Sequence, residues 1–137
     1  MGSFGRKGEK LDMLGTVSDQ SLRSCNCHVA VVKSGSFQPL DSGAKFLLAT
    51  DCSQSAGYAL LVTIHQLMRP ADELTVLALL SEGSSGQHIE EGAAEIRQVL
   101  AESNVRGTVQ VRALPRHESI ADGILAKAEV DQVRWVR

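Results

Sequence analysis

The feature that most constrains the fold is a set of short apolar runs that alternate with segments of helical spacing. VAVV covers residues 29–32, and LTVLALL covers residues 74–80. A strand that is apolar throughout is typical of a parallel sheet, because helices cover both faces of such a sheet. Three further strands are predicted, namely KFLLAT at 45–50, the alternating TVQVRAL at 108–114, which suits a sheet edge, and a weak last strand at 132–136.

The segments between these runs place apolar residues on one helical face. Ser53 is the predicted N-cap of the helix over residues 53–68, which Pro70 closes. The helical stripes comprise Leu60, Ile64, Leu67 and Met68 in residues 53–68, Ile89, Ala93, Ile96 and Leu100 in residues 86–103, and Ile120, Ile124, Leu125 and Ala128 in residues 118–129. A short helix is also predicted over residues 16–25. Strands and helices that alternate in this way predict an α/β domain, a five-stranded parallel sheet flanked by helices on both faces.

Length and charge restrict the class of protein. The chain has 137 residues, of which 43% are hydrophobic and 22% charged, and its formal net charge is −2. We therefore expect one globular domain, with no electrostatic basis for binding nucleic acid or a membrane surface. Apolar runs fall short of the roughly 18–20 residues of a membrane span, and the first residues lack the apolar core of a signal peptide. These features predict a cytoplasmic protein.

The cysteines do not indicate a metal centre. Cys25, Cys27 and Cys52 are an odd number in a chain without a signal peptide, which argues against a disulfide scaffold. Cys25-Asn26-Cys27-His28 could form half of a zinc site, but no second pair of ligands follows at a usual spacing. We therefore expect buried or half-buried cysteines and no metal ligands.

The glycine-rich opening is the strongest functional motif. Gly2 and Gly5 are followed by nine residues and then by Gly15-Thr16, which leads into the predicted helix. Glycines let backbone N–H groups approach phosphate oxygens, and a helix N-terminus adds donors and partial positive charge. The Thr16 hydroxyl can donate one more bond. The spacing favours a phosphate-binding loop over an ordinary helix start, although no strand precedes it.

With this motif the sequence resembles the universal stress protein family. Nucleotide-binding members of that family carry G-x-x-G, nine residues and then G-S or G-T, which here reads GSFG, RKGEKLDML and GT. VSDQSLRSCNCHVAVVK resembles the family's ending, and the segment from KFLLATDCSQS to LTVLALL resembles its opening. SIADGILAKAEVDQV resembles its third helix and the start of its fourth strand. The order of the two halves is therefore permuted, with the break between the fourth strand and the phosphate loop.

Two origins of the permuted order stay open. The chain could be a circular permutant that closes on itself, or a segment cut from a tandem protein. The Ser-, Gly- and Pro-rich linker at residues 34–44 can span about 36 Å when extended. That reach exceeds the roughly 17 Å strand length and 10 Å lateral distance that closure requires. An exchange of halves between two chains is equally possible by this geometry.

The resemblance implies a Rossmann-like, adenine-nucleotide alpha-hydrolase-like fold with strand order 3-2-1-4-5. Residues 1–137 would form one domain: residues 1–33 as phosphate loop, helix and edge strand, residues 34–44 as linker, and residues 45–137 as the remainder. Residues 132–136 would then pair beside residues 45–50. The ligand would bind at the switch point, beyond the carboxyl ends of the strands.

The same resemblance implies ATP as the ligand, with or without Mg²⁺. Asp51 would accept hydrogen bonds from the ribose, Leu79 would pack against adenine, and the glycine loop would hold the phosphates. The implied binding residues are Thr50, Asp51, Leu79, Gly2, Gly5, Gly15, Thr16, Val17 and Ser18, with no catalytic residue and no metal ligand. Asp51 could alternatively cap the next helix. Cys52 stands where the family usually has glycine.

The resemblance therefore implies an ATP-binding regulatory module of the stress-response type that forms a homodimer, with or without exchanged halves, whereas composition and spacing alone indicate a phosphate-binding α/β domain. One alternative is a slow ATPase, although the chain has no P-loop of the G-x-x-x-x-G-K-S/T type. Another is a nucleotide-free module that dimerises through the strand near Val29–Val32. His65 and His117 read as ordinary residues, and His88 reads as part of a solvated helix face with its neighbouring glutamates.

Overall fold

The computed structural model describes residues 16–27 and 43–131. The chain divides into two compact units, and these two described segments belong to different units. In the first unit, α1 spans Thr16–Ser24, in agreement with the helix predicted over residues 16–25. Its exposed Arg23 Nε lies 3.1 Å from Asp19 Oδ1, a surface pair of the kind that adds little stability.

The second unit alternates strands and helices as the apolar pattern predicts. Its elements are β1 (Lys45–Thr50), α2 (Gln54–Val62), β2 (Glu73–Leu80), α3 (Gly86–Glu102), β3 (Arg106–Ala113) and α4 (Ile120–Val130). Within the described residues, no helix is long and apolar enough to cross a membrane.

The three strands form a parallel sheet in the order β1-β2-β3. Leu48 pairs with Val76, which pairs with Val109. Leu74, Val76, Leu77 and Ala78 of β2 are fully buried, as expected for a central strand, and β3 lies at an edge of the described sheet, as its alternating sequence predicts. The other two predicted strands, residues 29–32 and 132–136, lie outside the described residues.

Helices cover both faces of the sheet. Leu60 of α2 and Leu100 of α3 pack with Leu74 and Val76 in the main core. Leu79 points to the other face, because successive side chains of a strand alternate. There it lies beside Gly123 of α4, where an added Cβ would be 3.3 Å from Leu79 Cδ1. The described part of the chain is therefore an α/β fold with helices on both sides of a parallel sheet.

The helix predicted over residues 53–68 is interrupted near its end. α2 stops at Val62, and Thr63–Leu67 forms a single π-helical turn in which the Met68 N–H donates to the Thr63 carbonyl at 3.0 Å. The wider turn moves residues off the helical stripe. Ile64 and Met68 still pack on the core, but Leu67 is exposed, so the prediction that it faces inward was wrong.

The inward face of α4 also differs from the prediction. Ile120 and Leu125 are exposed, whereas Gly123 and Ala128 are buried. An added Cβ on Gly123 would lie 2.7 Å from Leu114 Cδ2, so the helix approaches its neighbours through small residues. The closeness of that approach, which the apolar spacing cannot show, decides which face is inward.

Candidate functional site

The carboxyl end of β1 forms a tight turn that presents Asp51. The Cys52 N–H donates to Thr50 Oγ1 at 3.0 Å, and the Ser53 N–H donates to Asp51 Oδ1 at 2.9 Å. Ser53, as predicted, is the N-cap of α2, since its side chain accepts from the Ala56 N–H at 3.3 Å. Asp51 therefore precedes the cap and does not itself occupy the N-cap position of α2.

Asp51 is an exposed carboxylate that stays ionised. Hydrogen bonds from the Ser53 side chain and backbone lower the pKa of Asp51, against a smaller opposing effect of burial. The charge of His88 lowers the same pKa further. A carboxylate has about four acceptor sites, so the side-chain and backbone bonds from Ser53 leave capacity for hydroxyl or N–H donors of a ligand.

Cys52 packs the turn against α3. Its φ is +60°, and its Sγ donates weakly to the Ile89 carbonyl at 3.8 Å. Gly92 faces it so closely that an added Cβ would lie 2.5 Å from Cys52 Cβ. Burial raises the pKa of the Cys52 thiol, and the Thr50 hydrogen bond opposes this effect. Cys52 is half-buried, in agreement with the prediction for it.

His88 makes the smallest of the contributions that lower the pKa of Asp51. It lies in the first turn of α3 and is exposed, as predicted, but its charge acts on Asp51. The strand topology indicates that Asp51 and His88 lie at the same edge of the sheet. Because β1 and β2 are parallel neighbours, the helices that follow them both begin at the carboxyl edge of the sheet.

Leu79 lies near this turn along the sheet, and its side chain is on the face opposite that of Ala78. Thr50 pairs with Ala78, one residue before Leu79, and the side chains of Ala78 and Leu79 point in opposite directions. Leu79 is half-buried beside α4. The structure thus places Thr50 and Asp51 together at the end of β1, and it places Leu79 half-buried on the side of the sheet that α4 covers. Its contact with adenine stays a prediction.

The predicted phosphate-binding residues fall in the first unit. Thr16 opens α1, Val17 is exposed and Ser18 is buried, so a helix does begin where the motif predicts one. Gly2, Gly5 and Gly15 lie outside the described residues.

Cys25 and Cys27, just beyond α1, are exposed, so the expectation that they are buried was wrong. The chain has left α1 at this point and bends at residues 26–27, which leaves both thiols at the surface. Among the described residues, no cluster of three or more His, Cys, Asp or Glu side chains is placed to hold a metal ion.

A polar cavity lies at the opposite end of the sheet. Its volume is about 480 Å³, and its lining residues are Lys45, Glu73, Thr75, Thr108, Gln110, Val130 and Asp131. Lys45 and Glu73 are the first residues of β1 and β2. This cavity is therefore distinct from the turn at Asp51.

Comparison with known proteins supports the fold. No family model matches the sequence, and no curated protein matches it. The structure is similar to the crystal structure of a protein from the universal stress protein family from Burkholderia pseudomallei, with a TM-score of 0.56 and 18% sequence identity. The similarity covers 69% of this chain and 80% of that protein. The chain therefore has a fold like that of the universal stress protein family, as its sequence motifs predict.

Proposed function

We propose that this protein is an ATP-binding regulatory module of the stress-response type. The observation that carries the proposal is the ionised, exposed carboxylate of Asp51, presented at the carboxyl end of β1 in a fold like that of universal stress proteins. Ligands of open α/β sheets bind at that edge. The glycine motif in the same chain supplies a second, independent reason to expect a phosphorylated ligand.

In this proposal each part of the nucleotide has a partner of suitable chemistry. Asp51, next to Thr50 at the end of β1, accepts hydrogen bonds from the ribose hydroxyls. Leu79 contributes apolar surface for adenine. The phosphates, with or without Mg²⁺, bind to the loop and helix start formed by Gly2, Gly5, Gly15, Thr16, Val17 and Ser18. Backbone N–H groups and the helix dipole stabilise their charge.

The proposal is tested by mass spectrometry of small molecules released from the purified, folded chain, followed by calorimetric titration with ATP. We expect micromolar or weaker binding on the ordinary affinity scale. Trp135, the only tryptophan, provides a second readout when it is excited at the red edge of its absorption, where adenine is transparent. A flat calorimetric titration at millimolar ATP, in a chain shown to be folded, would refute the proposal.

Two variants test the residue roles. Asp51→Ala should weaken binding about 10- to 100-fold, because a charge-assisted hydrogen bond contributes roughly 1.5–3 kcal/mol. Gly15→Asp should abolish binding, since a carboxylate would repel the phosphates. Glu129→Ala is the matched control, because it removes an exposed carboxylate near the end of α4, away from Asp51. Phosphate release over hours in the same samples would separate binding from slow hydrolysis.

We also propose that this module assembles as a homodimer, as the resemblance of its sequence to the universal stress protein family implies. Light scattering on the purified chain tests this part of the proposal. A dimer that persists when ATP binding is abolished by Gly15→Asp would show that assembly and nucleotide binding are independent.

A further inference from the structure

We propose that Cys52 and Gly92 form a matched pair that positions the Asp51 carboxylate, an inference that rests on the proposed role of Asp51 in nucleotide binding. Neither residue needs to contact the ligand. Their contact holds the turn at the end of β1 against α3. The position of this turn then sets the orientation of the Asp51 carboxylate.

The first support is the backbone of Cys52. Among the described residues, Cys52 and Asn104 are the non-glycine residues with positive φ. Asparagine tolerates that region, whereas cysteine pays a steric cost there. In this conformation two successive backbone N–H groups donate to preceding side chains. The Cys52 N–H donates to Thr50 Oγ1, and the Ser53 N–H donates to Asp51 Oδ1. The strained conformation of Cys52 therefore places the Ser53 N–H where it donates to the Asp51 carboxylate.

The second support is the close fit between Cys52 and α3. An added Cβ on Gly92 would lie 2.5 Å from Cys52 Cβ and 2.8 Å from Cys52 Sγ, distances that real Cβ atoms do not adopt. Ile89, which accepts from Cys52 Sγ at 3.8 Å, is itself buried in the core. The side chain of Cys52 thus joins the turn to a helix that is itself packed on the core.

This pairing explains how cysteine is tolerated at position 52. Glycine would adopt the same φ without strain, but it would offer no side chain for α3 to hold. A cysteine at this position requires a glycine opposite, at position 92. The two positions should therefore behave as one unit when they are mutated.

The test is a double-mutant cycle with two readouts. We expect Gly92→Ala to weaken ATP binding about tenfold and to raise the pKa of Asp51 toward its ordinary value, measured from the carboxyl ¹³C shift. In Cys52→Gly/Gly92→Ala the methyl group added at position 92 takes the space that the Cys52 side chain leaves, so the double variant should restore both readouts toward those of the unmodified chain. Gly57→Ala is the control, because no described atom lies within 4 Å of its added Cβ.

The carboxyl titration separates this proposal from the proposed function. If the unmodified chain binds no ATP, but Gly92→Ala displaces the Asp51 titration and the double variant restores it, the positioning role stands and the nucleotide role fails. If Gly92→Ala leaves the Asp51 titration and ATP binding unchanged, the positioning role is refuted. Should Gly92→Ala not fold, Cys52→Gly alone decides, since it introduces no clash: an unchanged Asp51 titration overturns the proposal, and a raised pKa supports it.

Discussion

Two aspartates near opposite ends of the sheet show how the same side chain can serve structure or a ligand. Asp72 precedes β2 and is 2% exposed. Its carboxylate accepts from the Ala44 N–H and from the Arg69 N–H, both at 2.7 Å, and from Arg69 Nη2 at 3.3 Å. Asp51 follows β1 and is exposed, and it accepts a backbone bond from its own turn.

The comparison teaches that a lowered pKa does not by itself indicate a functional site. Burial raises the pKa of Asp72, but the bonds from Ala44 and Arg69 outweigh burial and leave the pKa below its ordinary value. The pKa of Asp51 is also lowered, mainly by Ser53. Accessibility distinguishes the two carboxylates, because a buried one with its acceptors occupied stabilises the fold, while an exposed one can still accept from a ligand.

The largest loss of stability that we expect comes from substituting one of two glycines that have nearly equal φ angles. Gly43, next to the Asp72 contacts, has a φ of +88°, and Gly83, after β2, has a φ of +87°. An added Cβ on Gly43 would lie 2.0 Å from the Ala71 carbonyl oxygen, whereas no described atom lies within 4 Å of one on Gly83. Gly43→Ala should therefore cost about 3 kcal/mol or more, through both φ strain and clash.

Gly83→Ala introduces the φ strain without the steric clash, and we expect it to lower the free energy of unfolding by about 1–2 kcal/mol. Urea unfolding of both variants measures the difference. Equal losses would mean that the close approach at Gly43 relaxes without cost, and that the amino end of the sheet is less tightly built than the contacts of Asp72 indicate.

The sequence predicts this architecture well where the signal is periodic. The bounds of β1 match the prediction, those of β2 and α3 differ from it by one residue, and the stripe of α3 packs inward. Apolar spacing reports which face is buried, and burial dominates folding. The π-helical turn at Thr63–Leu67 carries no such signal.

Features that depend on distant contacts could not be predicted from local pattern. In the sequence, Asp72 is the last residue of RPAD (69–72), a segment that predicts only the end of a helix. Its hydrogen-bond donor Ala44 lies 28 residues away along the chain. The site was predicted in the same uneven way. The place of Asp51 at the carboxyl edge follows from strand order, whereas the fit of Cys52 against Gly92 depends on how closely α3 packs. The glycine loop stays a prediction, since its glycines lie outside the described residues.

The next prediction contrasts the two aspartates directly. Asp72→Ala should lower the free energy of unfolding by about 2–3 kcal/mol, because two partly buried N–H groups and the Arg69 guanidinium lose a charged acceptor. Asp51→Ala should change it by less than about 1 kcal/mol, as an exposed substitution. Urea unfolding at neutral pH measures both values. A larger loss for Asp51→Ala would show that its turn is structural, which would weaken the ligand proposal.

The pH dependence of stability should follow Asp72. Its pKa is lowered in the folded state, so its contribution is complete above the unfolded value of about 3.9 and is lost as pH falls through the folded pKa. Asp72→Asn should therefore destabilise the chain at neutral pH, and its difference from the unmodified chain should shrink below about pH 4. Thermal melts between pH 7 and pH 3 test this trend. A constant difference would mean that the charge of Asp72 contributes nothing to folding.

The smallest expected effect compares the two helix starts at the carboxyl edge, beside Asp51. Ser53 caps α2 through the Ala56 N–H, whereas Ser85, at the same position before α3, makes no side-chain capping bond within the described residues. Ser53→Ala should cost about 1 kcal/mol, the usual value of a lost N-cap bond, and Ser85→Ala should cost less than half of that.

The Ser53 side chain also donates a hydrogen bond to Asp51, so Ser53→Ala should raise the pKa of Asp51 toward its ordinary value, while Ser85→Ala should leave it unchanged. Carboxyl ¹³C titration of the two variants, alongside their melting temperatures, distinguishes a cap that only starts a helix from one that also keeps Asp51 ionised. If Ser53→Ala alters stability but leaves the Asp51 titration unchanged, Ser53 serves α2 alone, and the charge on Asp51 must be maintained by its remaining neighbours, among them His88.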